Sequence, residues 1–163
     1  MTFSLPGLIL SLAILAPNFL LLAWPPHNPP RVPAKTGWLL SALEKGGQAA
    51  CLVAPVLTGR DTGAAGWIDA WLVAVIVFVG AYYGLWARYV LRGRDFTLLY
   101  SPLALLPVPM AVFPVVAFLA GAGWLHSWWL AGAAALLAAG HIPSALIIAR
   151  QQGAAERTPQ LPA

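Results

Sequence analysis

Hydrophobic positions along this chain fall into five long runs rather than into the short alternations of an amphipathic soluble fold. They run from about Leu5 to Trp24, Trp38 to Leu57, Trp67 to Tyr89, Phe96 to Leu119, and Leu125 to Ala149. Each run has 20 to 25 residues. At ~1.5 Å rise per residue, 20 helical residues cross the ~30 Å hydrocarbon core of a bilayer. Only helices and closed barrels satisfy their backbone in lipid, and barrel strands alternate. The pattern therefore predicts an all-α, polytopic membrane helix bundle with about five transmembrane helices.

Composition agrees. Of 163 residues, 60% are hydrophobic and 9% charged, with a mean hydropathy of +0.78. A soluble domain carries about 25% charge. One transmembrane domain over residues 1–150 accounts for the length, followed by a short cytoplasmic tail over 151–163, expected to be disordered. The net charge of +4 forms no dense patch, so no nucleic-acid partner is expected.

Charge placement orients the bundle. Five crossings put Arg31, Lys35, Arg88, Arg92, Arg94, Arg150 and Arg157 on one side, with Lys45 nearest to it and only Arg60 opposite. This eight-to-one split predicts the amino terminus outside and the carboxyl terminus in the cytoplasm. The first run lacks the basic region and cleavage site of a signal peptide. The eight tryptophans fall near the two expected interfaces, as amphipathic rings do. The expected location is a cell membrane, with the Ala-, Gly-, Pro- and Arg-rich composition pointing to a bacterial cytoplasmic membrane.

Prolines punctuate the pattern. The first loop holds five in nine residues, Pro25 to Pro33, and reads as a stiff strap or a lid. The fourth run carries Pro102, Pro107, Pro109 and Pro114, which predict a kink or break beside an internal cavity. Gly132, Ala133, Ala134, Ala135, Ala138, Ala139 and Gly140 make the fifth helix thin and suited to close packing.

The candidate site comes from polar residues inside the runs. At 100° per residue Ser41, Glu44, Gln48, Cys51 and Pro55 share one face of the second helix. Glu44 lies roughly 9 Å below the inner boundary. An intramembrane carboxyl is a functional candidate by default, because its burial costs about 2.5–3.5 kcal/mol near the helix centre. Asn18, Tyr82, Tyr83, Tyr100, His141 and Ser144 bring polar groups to similar depth from other helices. Together with Glu44 and Gln48 they predict a polar, ligand-binding cluster in the cytoplasmic half. An alternative makes residues 35–47 an interfacial helix jointed at Gly46-Gly47, with Glu44 in the headgroups.

Three functional readings follow. The first is a protein that binds or transports a small hydrophobic ligand, as a lone chain or a homodimer. The second is an intramembrane enzyme for isomerisation or cyclisation of a lipid-soluble substrate, with Glu44 and His141 as catalytic acid and counterpart. The third is a structural or regulatory subunit that docks through the thin fifth helix. No cofactor is called for. Cys51 stands alone and His27, His126 and His141 lie at different depths, so no metal site is expected.

One resemblance bears on the ligand. Asn28-Pro29-Pro30-Arg31 looks like a fragment of the Trp-rich Asn-Pro-Pro stretch between the first two helices of tryptophan-rich sensory (translocator) proteins, which are also short and five-helical. It covers these few residues alone; Val32-Pro33-Ala34-Lys35 stands where aromatic residues would follow, and the chain is not assigned to that family. The likeness implies a hydrophobic ligand, such as a tetrapyrrole or sterol-like molecule.

Overall fold

A computed structural model describes residues 3–30, 35–58 and 69–157, with side chains as far as Gly153. The first-loop residues Arg31 to Ala34, Arg60, Trp67 and the final residues 158–163 lie outside the described residues. Among the described residues there are five long helices: α1 (Leu5–Ala23), α2 (Trp38–Val53), α3 (Ala70–Leu91), α4 (Pro109–Trp124) and α5 (Trp128–Arg157). Three are long and apolar enough to cross a membrane: α1, α3 and the Trp128–Gly153 stretch of α5. The others have 16 residues each, or about 24 Å of helix; α4 is apolar, whereas α2, which carries Glu44, Lys45 and Gln48, is less so.

Local chemistry sets the helix ends. Ser4 caps α1 through Gly7 N–H, Asp69 caps α3 through Leu72 N–H, and Ser127 caps α5 through Leu130 N–H. Pro17 lacks an N–H and tightens α1 into a 3-10 turn over Ala16–Phe19. The carbonyl of Ala13 thereby loses its helical donor, and the Tyr83 hydroxyl of α3 donates to it at 2.9 Å. α2 ends before Pro55, where Val56 N–H bonds the Val53 carbonyl instead of that of Leu52, and Ser11 of α1 donates to the Leu52 carbonyl at 3.1 Å.

The fourth apolar run differs from its expected span. It opens with a 3-10 turn, Phe96–Leu99, and is non-helical through Pro102 and Pro107. The helix starts only at Pro109, where a missing N–H costs nothing, and continues past Leu119 to Trp124. The break expected between Pro102 and Pro114 thus occupies the segment before Pro109. The fifth run also shifts, beginning at Trp128 and continuing beyond Ala149 into the expected tail as far as Arg157. In α2 there is no joint at Gly46-Gly47; the helix is continuous from Trp38 to Val53.

Packing places α4 at the centre. It touches α3 on one side and α5 on the other, while α2 lies along α5. Phe113, Pro114, Val115, Ala117, Phe118, Ala120 and Gly121 of α4 are all buried, which suits a helix that is apolar all round. A main core joins Leu10, Ile14, Cys51, Val75, Phe118, Leu130 and Leu137. A second, aromatic cluster of Tyr82, Trp86, Tyr89 and Phe113 lies toward the end of the bundle that carries Trp24 and Arg92, called here the basic end.

The outlier is α1. At its amino end it is tied to α2: Ser4 N–H bonds the Val56 carbonyl at 2.8 Å, and Ser11 reaches Leu52. At its carboxyl end it is tied to α3: the Tyr82 hydroxyl bonds Asn18 at 3.2 Å and the Tyr89 hydroxyl bonds the Trp24 carbonyl at 3.1 Å. It therefore crosses the bundle obliquely and leaves α2 behind as it approaches the basic end.

Candidate functional site

Two glycines build the site. The antiparallel pair α2 and α5 meets backbone to backbone at Gly47 and Gly140. A Cβ on Gly47 would stand 2.5 Å from the Leu137 Cα, and one on Gly140 would overlap the backbone of Glu44. Small residues permit such an approach in the absence of a hydrophobic drive between helices. The residue after Gly140 is His141, and its Nδ1 lies 2.7 Å from Glu44 Oε1. Both side chains are about one-quarter exposed, at 27% and 25%. Ser144, one turn further on α5, is buried, and its Oγ has no hydrogen-bond partner among the described residues.

The pairing fixes the chemistry of the imidazole. A carboxylate accepting from Nδ1–H holds the ring orientation and leaves Nε2 as the second functional atom. With a neutral ring Nε2 accepts a hydrogen bond; with one more proton it donates.

Beside the pair lies a cavity of about 320 Å³ to which every long helix contributes: Ile14, Leu15 and Asn18 from α1, Gln48 and Leu52 from α2, Tyr82 from α3, Pro114 and Phe118 from α4, Leu137 and His141 from α5. Its walls are mostly apolar, with four polar side chains converging on it. Asn18 is itself organised: its Oδ1 accepts from Tyr82, and its Nδ2 donates to the Ile14 carbonyl at 3.4 Å. Asn18 and Gln48 are exposed, so the cavity opens outward on the side where α1 leaves α2.

Four of the residues singled out from sequence, Asn18, Gln48, Tyr82 and His141, line this cavity. Glu44 joins them through His141, and Ser144 sits a turn away. Tyr83 points elsewhere, toward the Ala13 carbonyl and a groove between α1 and α3. Tyr100 lies in the non-helical segment against Phe96, with ring centroids 5.2 Å apart. On the shared face of α2, Cys51 and Pro55 are buried in packing, while Gln48 faces the opening. Lys45 is exposed. The apolar walls Leu15, Leu52, Phe118 and Leu137 carry no signal that separates them from other core residues in the sequence.

The groove between α1 and α3 is larger, about 850 Å³, and lined by side chains such as Leu5, Ile9, Leu72, Val75 and Ile76. It offers almost no polar atom to orient a ligand, and a hydrocarbon chain of the bilayer suits it equally well. The polar cavity is the better candidate site despite its smaller volume.

The first loop is held at the basic end. His27 N–H bonds the Arg94 carbonyl at 2.7 Å, and Phe96 N–H bonds the His27 carbonyl at 3.0 Å. The Asn28 amide donates to Asp95 Oδ2 at 3.3 Å, and Arg94 lies 3.2 Å from His27 Nε2. Asp95 also accepts from the Thr97 backbone at 2.8 Å and hydroxyl at 2.7 Å. These bonds, the Thr97 backbone first, hold its carboxyl below the usual carboxylate range. Asn28-Pro29-Pro30 thus begins a strap fastened to the turn after α3.

Comparison of the chain with known protein families, characterised proteins and solved structures finds no match. Function has to be argued from the site itself.

Proposed function

We propose that the chain crosses a bacterial cytoplasmic membrane five times, with its amino terminus outside, and binds or transports a small hydrophobic ligand in the Glu44–His141 cavity. The eight-to-one distribution of Lys and Arg supports the topology. It sets the basic end, and with it the open side of the cavity, toward the cytoplasmic half of the bilayer. In this reading α2 and α4 cross with help from their flanking turns, since 16 helical residues fall short of the ~30 Å core. Of the polar residues of α2, Gln48 lines the bundle's cavity and Glu44 meets His141 of α5.

One observation carries the ligand reading. An ion-pair-capable contact of 2.7 Å joins Glu44 to His141 on the wall of a cavity shared by all five helices, and the five-crossing topology would set it at membrane depth. Ionisable residues there are costly, and packing alone would be served as well by apolar side chains. Mostly apolar walls with a few convergent polar groups are the ordinary composition of a small-molecule pocket. A second reading, acid–base catalysis on a lipid-soluble substrate, draws on the same pair, because His141 Nε2 could transfer a proton to or from the occupant.

The test is chemical. Protein purified from its membrane is extracted with organic solvent and the released molecules are weighed by mass spectrometry. The native chain should release one discrete class near one per protein, and Leu15→Trp, which fills the cavity, should release none. Identical profiles of bulk lipid from both would remove the proposal. Turnover of the released compound by the native protein would decide for the enzyme.

A further inference from the structure

Resting on the ligand-binding reading above, we infer that the occupant is an uncharged, single-chain amphiphile with a hydroxyl head, which enters sideways from the lipid between α1 and α2. Its head lies against His141 and its chain runs out past Leu15 and Leu52.

The route follows from the crossing of α1. Its hydrogen bonds to α2 are confined to the end near Ser4 and Ser11, and those near Asn18 and Trp24 go to α3. The two helices therefore part toward the basic end, and the parting is edged by Asn18 and Gln48, both exposed. The Gln48 side chain makes no hydrogen bond among the described residues. A bare amide facing hydrocarbon is unfavourable, and an oxygen-bearing head group in the opening would satisfy it.

The head-group chemistry follows from what the cavity offers. His141 gives Nδ1 to Glu44 and keeps Nε2 for the occupant. Gln48 offers amide donors. A hydroxyl meets both, donating to Nε2 and accepting from the amide. No Lys or Arg lines the cavity, so an anionic head meets no Lys or Arg countercharge there, and the Glu44 carboxyl is engaged by His141 rather than presented at the wall, so an ammonium head meets no free carboxylate. Size follows from the volume: 320 Å³ is about that of ten liquid waters. That admits a head and the first part of one chain, with the rest of the chain lying outside the cavity.

The experiment places the native chain in phosphatidylcholine nanodiscs with photoactivatable probes of one chain length and three heads: a monoacylglycerol, a fatty acid at pH 8, and an alkylamine. After irradiation the labelled peptides are mapped. The monoacylglycerol should label residues 13–18 and 48–52, and His141→Ala should reduce this about tenfold, as the loss of one buried hydrogen bond does. Gln48→Leu, at an exposed position that does not threaten folding, should also weaken it. Equal labelling by all three heads would overturn the head-group assignment while leaving a binding cavity intact. Labelling confined to Leu72–Tyr83, the α1–α3 groove, would overturn the route. Cavity labelling by none of the probes, with discrete small molecules still released on extraction, would reject this ligand class but keep the binding reading.

Discussion

At the scale of single residues, the contact between His141 and Glu44 depends on the absence of a side chain at Gly140. Any Cβ there meets the Glu44 backbone, so α5 would have to retreat and carry His141 with it. Gly140→Val should cost about 1–3 kcal/mol by overpacking and abolish ligand retention, read by thermal unfolding in detergent and by extraction. Glu44→Gln is the complementary variant. It preserves shape but removes the charge that orients the imidazole, so retention should fall while the unfolding midpoint changes little. A large drop in midpoint instead would make the pair structural. Asp95 gives a pH signature. Its folded value lies below the unfolded one of about 3.9, so its contribution is complete above about pH 4 and disappears as pH falls through the lower folded value. Asp95→Asn should therefore flatten the acid limb of the melting temperature against pH. Parallel limbs for native and variant chains would show that the Asn28–Asp95 strap contributes nothing.

At the scale of helices, tyrosines on α3 hold α1 in place. Tyr83 supplies the donor that Pro17 withholds from the Ala13 carbonyl. Tyr83→Phe should destabilise the chain by about 0.6–1.7 kcal/mol, the usual range for one hydrogen bond between membrane helices, measured by denaturation in mixed micelles. Much of this level was legible in the sequence. The apolar runs overlap each of the five long helices among the described residues, though the fourth only in part, and Pro102 and Pro107 marked the break before α4. Glycines misled where they read as punctuation. Gly46-Gly47 looked like a joint, yet Gly47 is the contact with Leu137. Gly121 and Gly123 likewise sit inside α4, beyond the expected end of the fourth run near Leu119, where they receive Leu10 and the ring of Trp71. Within these helices glycine serves close approach. The meeting of Asn18, Gln48, Tyr82 and His141 was legible because polar residues inside the apolar runs are few. The oblique path of α1 was not, since it depends on hydrogen bonds between residues some 64 to 70 positions apart, such as Tyr82–Asn18 and Tyr83–Ala13.

At the scale of the molecule, a buried α4, the α2–α5 pair and a crossing α1 enclose one polar cavity. The same crossing opens the cavity on the α2 side and leaves an apolar groove on the α3 side. Orientation can be read with cysteine probes in a Cys51→Val background, since Cys51 is the sole native thiol and is buried. A cysteine at Arg92 should react only after the membrane is permeabilised, and one at Arg60 should react in intact cells. Both on one side would refute five crossings. The most direct test of the account places a photo-crosslinking amino acid in living cells at Leu15, on the cavity wall, and separately at Leu12, an exposed position on the same helix. The account predicts a discrete small-molecule adduct at position 15 that is absent at 12 and lost when His141→Ala is added. The same phospholipid adducts at both positions, unaffected by His141→Ala, would contradict it.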